Sequence, residues 1–202
     1  MLITAIEERK KSMSALFIDG EYAVSIDTVT LISSGKKVGS EISDAELYDL
    51  IENSNISRAK EKALYLIEYR QRSRKEIEDK LIPLFGEKAS EAAIERLEQL
   101  GLVDDESFAR EYARSIIEVK KLSGKRALFE LVKKGIDKDL AEEILEEYEV
   151  DTVQQIIDVI NKKYFRSLDD EKGLKRTING LRTMGYSWDD IKQAMYELDV
   201  EI

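Results

Sequence analysis

The chain has 202 residues, and its composition excludes several kinds of site at once. It contains no cysteine and no histidine, which removes disulfides, thiolate nucleophiles, histidine bases and the commonest zinc ligands. The formal net charge of −10 argues against a protein that coats DNA through its whole surface. With 37% charged residues and a single proline, the composition is typical of a helix-rich protein with a charged surface.

The N-terminal residues predict a small β-sheet. Two β-prone runs within residues 14–26 meet at Asp19-Gly20, a dipeptide that favours a type I′ turn because both central residues need positive φ. Residues 2–6 supply a third candidate strand, and about three strands are needed for an independently stable small sheet.

Short helices are expected to complete this module over residues 1–55. Asp27 can cap a helix that follows the last strand, and Ser43 with Glu46 forms a capping box for the next helix. We expect that helix to end at the polar run 53–55, where we place the module boundary.

From residue 57 onward, apolar residues recur with the period of an α-helix. Ala59, Ala63 and Leu66 form one stripe, and Tyr65 and Tyr69 are expected to lie partly in the core. A shift of 50 residues superimposes Leu81 on Leu131 and Leu181, and Gly135 on Gly185.

This register predicts three tandem three-helix repeats, over residues 57–102, 104–149 and 151–200. Each repeat can bury only one side by itself, so stacking predicts an elongated, curved solenoid. The fold class expected is therefore mostly α, with a small N-terminal module that contains a β-hairpin.

Basic residues concentrate between the first and second helices of each predicted repeat. The first junction holds Arg70, Arg72, Arg74 and Lys75, the second holds Lys120, Lys121, Lys125 and Arg126, and the third holds Lys172, Lys175 and Arg176. Equivalent positions of a solenoid face one side, so these clusters predict a basic, partner-binding stripe. We expect seven of these charges to have no evident internal partner: Arg72, Arg74, Lys75, Lys125, Arg126, Lys175 and Arg176. The alternative is that each cluster is an ordinary solvated helix face.

Chemistry that would need a cofactor or catalytic group has little support in the sequence. There is no glycine-rich phosphate loop and no nucleophile elbow, and residues 104–106 are better explained as a helix cap than as a metal site. We therefore predict no enzyme, no cofactor and no catalytic residue. The longest apolar run, residues 63–67, is too short to cross a membrane, and a cytoplasmic protein is expected.

Several segments in the same order resemble the RecX family, bacterial regulators of the RecA recombinase. The resemblance rests on YRQRSRKEI at 69–77, LGLVDDESFA at 100–109, GKR at 124–126 and LVKKGI at 131–136. It implies a non-catalytic protein that binds in the groove of the RecA filament on single-stranded DNA and limits its extension or stability. Separately, we expect the protein to be a monomer.

Two other functions stay open from the residues themselves. The basic stripe could bind nucleic acid directly, in which case binding would weaken steeply with salt. A carboxylate-dependent hydrolase is the third alternative, because aspartate and glutamate are the abundant reactive side chains.

Overall fold

The structure is a computed structural model that describes residues 1–168 and 170–201, and it is mostly helical. Its elements in chain order are β1 (Ile3–Arg9), β2 (Met13–Ile18), β3 (Glu21–Asp27), α1 (Thr28–Ser33), α2 (Asp44–Tyr69), α3 (Arg74–Gln99), α4 (Asp105–Arg114), α5 (Gly124–Lys133), α6 (Lys138–Glu146), α7 (Thr152–Val159), α8 (Glu171–Thr183) and α9 (Trp188–Glu197). The chain divides after Asp104 into a first and a second compact unit. The predicted fold class, helical with a small N-terminal sheet, is confirmed.

The first unit begins with a three-stranded antiparallel sheet in the order β1-β2-β3. Asp19 and Gly20 both have positive φ, at 51° and 91°, as the predicted type I′ turn requires. Ile3, Leu16 and Ile26 are fully buried and form the core of this module.

Helix α2 begins where predicted but does not stop at residues 53–55. Ser43 and Glu46 form both hydrogen bonds of the capping box. The Lys36 ammonium and the Ser43 backbone N–H also hold the pKa of the Glu46 carboxyl at about 2. The helix continues through Ser54 because this buried hydroxyl accepts the backbone N–H of Asp27 at 2.8 Å. A polar residue that suggested a break instead joins the helix to the sheet.

The aromatic side chains of α2 lie outside the core, contrary to expectation. Tyr65 is 66% exposed and Tyr69 is 83% exposed, whereas Ala59, Ala63 and Leu66 are buried. In the buried stripe of Ala59, Ala63 and Leu66, the two alanines pack in one cluster with residues of α3. The two tyrosines fall beside that stripe and face solvent.

Helix α3 consists of two segments joined at a sharp bend. Pro83 lies near the end of the first segment, and Gly86 has non-helical angles of φ 78° and ψ 168°. The first helical segment therefore ends at this bend. Ile77 and Leu81 before the bend and Ile94 after it share one buried cluster.

The second unit contains two hydrophobic clusters, each assembled from three helical segments. Leu131 lies at the centre of the first cluster and Leu181 of the second, and both are fully buried. Gly135 and Gly185 have φ of 87° and 92°, and two residues later Asp137 and Ser187 cap the N-termini of α6 and α9. The division into a β-rich module and three helical repeats stays a proposal.

A π-helical turn, Ser115–Val119, continues α4 and changes which side chains are buried. The periodicity predicts Val119 on the apolar face of this helix, but it is 75% exposed while Ile117 is buried. The wider turn shifts the register of the helix, which a constant period of 3.6 residues does not anticipate. A second π-helical turn, Ile160–Tyr164, continues α7.

We expect Leu131→Ala and Leu181→Ala each to lower the free energy of unfolding by about 2–5 kcal/mol, because each truncation leaves a cavity in a fully buried site. Val132→Ala, at an exposed position beside Leu131, is the control and should change stability little. Urea denaturation followed by circular dichroism measures all three. If only one of the two leucine variants loses stability, the two positions are not structurally equivalent.

Candidate functional site

The first junction, residues 70–75, is largely occupied by interactions within the first unit. Arg74 contacts three carboxylates: Nε lies 2.8 Å from Glu78, Nη1 lies 2.6 Å from Glu98, and Nη2 contacts Glu91. Hydrogen bonds to Glu98 raise the pKa of the Arg74 guanidinium. Because Glu91 and Glu98 lie beyond the bend at Gly86, Arg74 ties the two segments of α3 together.

Two further arginines of the first junction also have internal partners. The two Nη atoms of Arg70 donate to the carboxylate of Glu76 at 2.8 and 2.9 Å. Arg72 Nε donates to the carbonyl of Leu66, 3.0 Å away, at the C-terminal end of α2. The expectation that these charges have no internal partner is therefore wrong for Arg72 and Arg74, and Arg70 is likewise paired. Within the described residues, Lys75 makes an exposed ion pair with Asp79 at 3.7 Å.

The backbone of the second junction, residues 120–126, is bound by the turn between α8 and α9. The N–H of Ser123 donates to the carbonyl of Met184 at 3.1 Å, and the hydroxyl of Tyr186 donates to the carbonyl of Lys121 at 2.6 Å. Burial raises the pKa of the Tyr186 phenol above its ordinary value, so it donates this hydrogen bond to a higher pH than an exposed tyrosine would. The junction is thus held by the turn between α8 and α9 within the second unit.

The side chains of the second junction differ in how much the fold uses them. Arg126 pairs with Glu130 at 2.6 Å, and its guanidinium lies 5.0 Å from the ring centroid of Phe129. Lys120 Nζ lies over the ring of Tyr112 at 5.6 Å. Lys125, in the first turn of α5, is exposed and makes no ion pair within the described part of the chain.

The third junction, residues 172–176, is the most solvent-exposed. Lys175 pairs with Glu171 at 2.6 Å, but both side chains are more than two-thirds exposed, so this pair contributes little to stability. Lys172 and Arg176 are exposed and have no ion-pair partner among residues 1–168 and 170–201.

The second and third junctions lie at opposite ends of α8. Met184, at its C-terminal end, contacts Ser123 of the second junction, whereas Lys175 lies nine residues earlier. That separation is about 14 Å along a helix axis. A partner that contacts both clusters must span this distance, as a macromolecule does and a small ligand does not.

The first unit holds another group of cations, which the repeat pattern of the sequence did not identify. Lys10, Lys11, Arg58 and Lys62 surround one groove together with exposed Tyr65. Lys10 and Lys11 are consecutive lysines at the first hairpin turn, and they are the sequence feature that could have indicated this group. Their proximity to α2 depends on how the sheet packs on that helix, which periodicity does not reveal.

Neither a metal centre nor a membrane-spanning helix is present in the described part of the chain. No three or more acidic side chains there are grouped to hold a metal ion, residues 104–106 included. No helix within the same residues is long and apolar enough to cross a bilayer.

Comparison with known proteins relates the chain to one family. The family model for the first three-helix domain of RecX matches residues 59–97, and that for the second three-helix domain matches residues 104–145. The regulatory protein RecX of Clostridium acetobutylicum is 32% identical over 206 residues, which cover 97% of this chain and 95% of the relative.

Solved structures agree with this relationship. The crystal structure of RecX from Lactobacillus salivarius has a TM-score of 0.57 and 33% identity, and covers 72% of this chain and 97% of its own. A crystal structure of a regulatory protein RecX has a TM-score of 0.62 at 21% identity, over 96% of this chain and 98% of its own. The latter match shows the shared fold.

We expect Gly185→Ala to destabilise the protein by about 1–3 kcal/mol more than Gly20→Ala. The two glycines have nearly equal φ, 92° and 91°, so the backbone strain from an added Cβ is similar. At Gly185, however, that atom would lie 2.5 Å from Ser123 Oγ and from Arg126 Cβ, whereas nothing lies within 4 Å at Gly20. Chemical denaturation measures both losses. Equal losses would show that the close approach at Gly185 is unimportant.

We expect Arg74→Ala to lower the free energy of unfolding by about 1.5–3 kcal/mol, because it removes charge-assisted hydrogen bonds to three carboxylates. Lys125→Ala is the contrasting variant, and it should change stability by less than about 0.5 kcal/mol. Thermal and urea unfolding of both variants measure this difference. If Arg74→Ala is as stable as Lys125→Ala, the interactions of Arg74 do not hold α3 together.

Proposed function

This chain belongs to the RecX family, and on that premise we propose that it regulates the RecA recombinase by binding the RecA filament on single-stranded DNA. The observation that carries the proposal is the set of exposed cations at the second and third junctions that make neither an ion pair nor a contact with an aromatic ring. Within the residues that the structure describes, these are Lys125, Lys172 and Arg176. Charges that do not stabilise the fold are available to a partner.

The charge balance favours a filament over free DNA as the main target. With a net charge of −10, the protein as a whole is repelled by a polyanion, so a few exposed cations provide little general affinity. A filament also offers protein surface to the acidic and apolar parts of the chain. Local electrostatic complementarity then sets orientation and association rate rather than the whole affinity.

The proposed action is binding without chemistry. Lys125 and Lys172 lie on different three-helix repeats, so a partner that holds both is contacted over an extended surface. A protein bound this way in a filament groove obstructs added subunits and changes the stability of those already present. Regulation then needs no catalytic residue or cofactor from this chain.

Direct action on DNA is the alternative function, and salt dependence separates the two. A protein held mainly by phosphates loses affinity for free DNA steeply as salt rises, with a slope near −0.7 per neutralised phosphate for single strands. A protein held mainly by the filament should sediment with it at salt concentrations where it no longer binds DNA alone.

We expect Lys125→Glu combined with Lys172→Glu to weaken binding to RecA filaments roughly 10-fold, because both reversals introduce repulsion at the proposed contact. Inhibition of RecA ATP hydrolysis should weaken in parallel, with the larger loss at low salt. Co-sedimentation with RecA on single-stranded DNA, and with DNA alone, measures the effect.

Lys133→Glu with Lys192→Glu is the matched control, since it makes the same change in net charge at exposed positions elsewhere in the second unit. The control should bind and inhibit like the parent. If both double variants bind alike, the cations of the second and third junctions do not form the contact, and α6 with its acidic residues becomes the better candidate.

A further inference from the structure

We propose that the groove beside the first hairpin binds a segment of single-stranded nucleic acid. The groove encloses about 720 Å³ between the β1–β2 turn, α2 and the bend of α3. Four cations and two aromatic rings line it: Lys10, Lys11, Arg58, Lys62, Tyr65 and Phe85. All of these lie in the first unit.

The charge of the groove is opposite to that of the protein. Its four cations face only two lining carboxylates, Asp27 and Glu61. Asp27 is buried, and its carboxylate accepts the backbone N–H and the hydroxyl of Thr30, both at 2.9 Å, to cap α1. Of the two carboxylates that line the groove, Glu61 is therefore the one that does not cap α1. In a chain of net charge −10, this local excess of cations favours an anionic ligand.

Folding leaves these cations without ion pairs. Within residues 1–168 and 170–201, none of the four makes a salt bridge, in contrast to the arginines of the first junction. Lys10 and Lys11 are exposed, and Arg58 and Lys62 are partly buried along α2. Their charges are available to the phosphates of a strand that follows the groove.

The aromatic rings supply the second part of the recognition. The guanidinium of Arg58 lies 5.3 Å from the ring centroid of Phe85, and Lys62 Nζ lies 5.0 Å from that of Tyr65. Tyr65 is nevertheless 66% exposed, so much of its surface remains available for stacking. Unpaired bases stack on aromatic rings and guanidinium planes while lysines contact the phosphates, which is the usual chemistry of single-strand binding.

The hairpin turn that presents the lysines has an unusual conformation for its sequence. Lys11 and Ser12 have φ of 61° and 54°, in the left-handed region that glycine, asparagine and aspartate normally occupy. The neighbouring turn at Asp19-Gly20, by contrast, consists of such residues. Strained positions of this kind are concentrated at binding sites.

The same features distinguish a single strand from other polyanions. Duplex DNA keeps its bases stacked inside the helix and leaves only their edges accessible, so Tyr65 would have no base face to contact. An acidic peptide satisfies the cations but offers no planar bases. Stacking of a base on Tyr65 is therefore the interaction that distinguishes a single strand from duplex DNA and from an acidic peptide.

The test measures binding of the full-length chain to a fluorescently labelled oligothymidine of about 12 nucleotides by anisotropy, without recombinase. Lys11→Gln with Lys62→Gln should weaken binding and reduce the steepness of its salt dependence by about 1.4, or 0.7 per lost cation. Tyr65→Ala should weaken binding at least about 5-fold, whereas Tyr65→Phe should bind like the parent because it keeps the ring.

The matched control is Lys37→Gln with Lys80→Gln, which removes two exposed lysines of the same unit that do not line the groove. It should bind like the parent, and circular dichroism checks that every variant is folded. Parent-like binding by the groove variants would overturn the proposal. So would equal competition by polyglutamate or duplex DNA, which would reduce the site to charge alone.

The result of the oligothymidine experiment is independent of the result of the RecA filament experiment. Loss of oligothymidine binding in the groove variants supports the groove even if they still inhibit RecA. Conversely, Lys125→Glu with Lys172→Glu should leave oligothymidine binding unchanged, whatever it does to filament binding.

Discussion

The second unit depends on satisfying the backbone polar groups of a non-helical junction inside a helical protein. Between the π-helical turn after α4 and the start of α5, the N–H of Ser123 and the carbonyl of Lys121 find partners in Met184 and Tyr186. Gln155 likewise donates to the carbonyl of Ile117 at 3.0 Å. Buried backbone groups without such partners would be strongly destabilising. The turn between α8 and α9 and helix α7 therefore complete the hydrogen bonding of the segment between α4 and α5.

The same constraint explains why similar basic clusters have different roles. In the first junction, the side chains themselves satisfy the fold: Arg74 bridges the bend of α3, and Arg72 binds the end of α2. In the second junction, backbone contacts with the turn at Gly185 hold the chain in place. Lys125 is consequently free of any structural ion pair within the described residues. Equivalent positions of different junctions can thus carry the same charge, although one charge is held by the fold and the other is available to a partner.

A strongly acidic protein with a few unpaired cations is suited to selective binding. Overall repulsion suppresses adhesion to bulk nucleic acid, while local positive surfaces contact a polyanion that is presented in a suitable geometry. The proposed filament contact through Lys125 and Lys172 and the proposed strand-binding groove around Tyr65 both follow this principle. They occupy different units, so each can be removed by mutation without altering the other.

The sequence by itself determined the fold class, the hairpin at Asp19-Gly20, the helix caps and the family resemblance, because each depends on local backbone chemistry or on apolar periodicity. It also identified every basic junction residue. It did not reveal that Ser54 continues a helix, or that Arg74 is bound by three carboxylates. It also missed that Lys11 lies beside α2. These were decided only by the tertiary structure, because whether a charge is paired or exposed depends on residues distant in the chain.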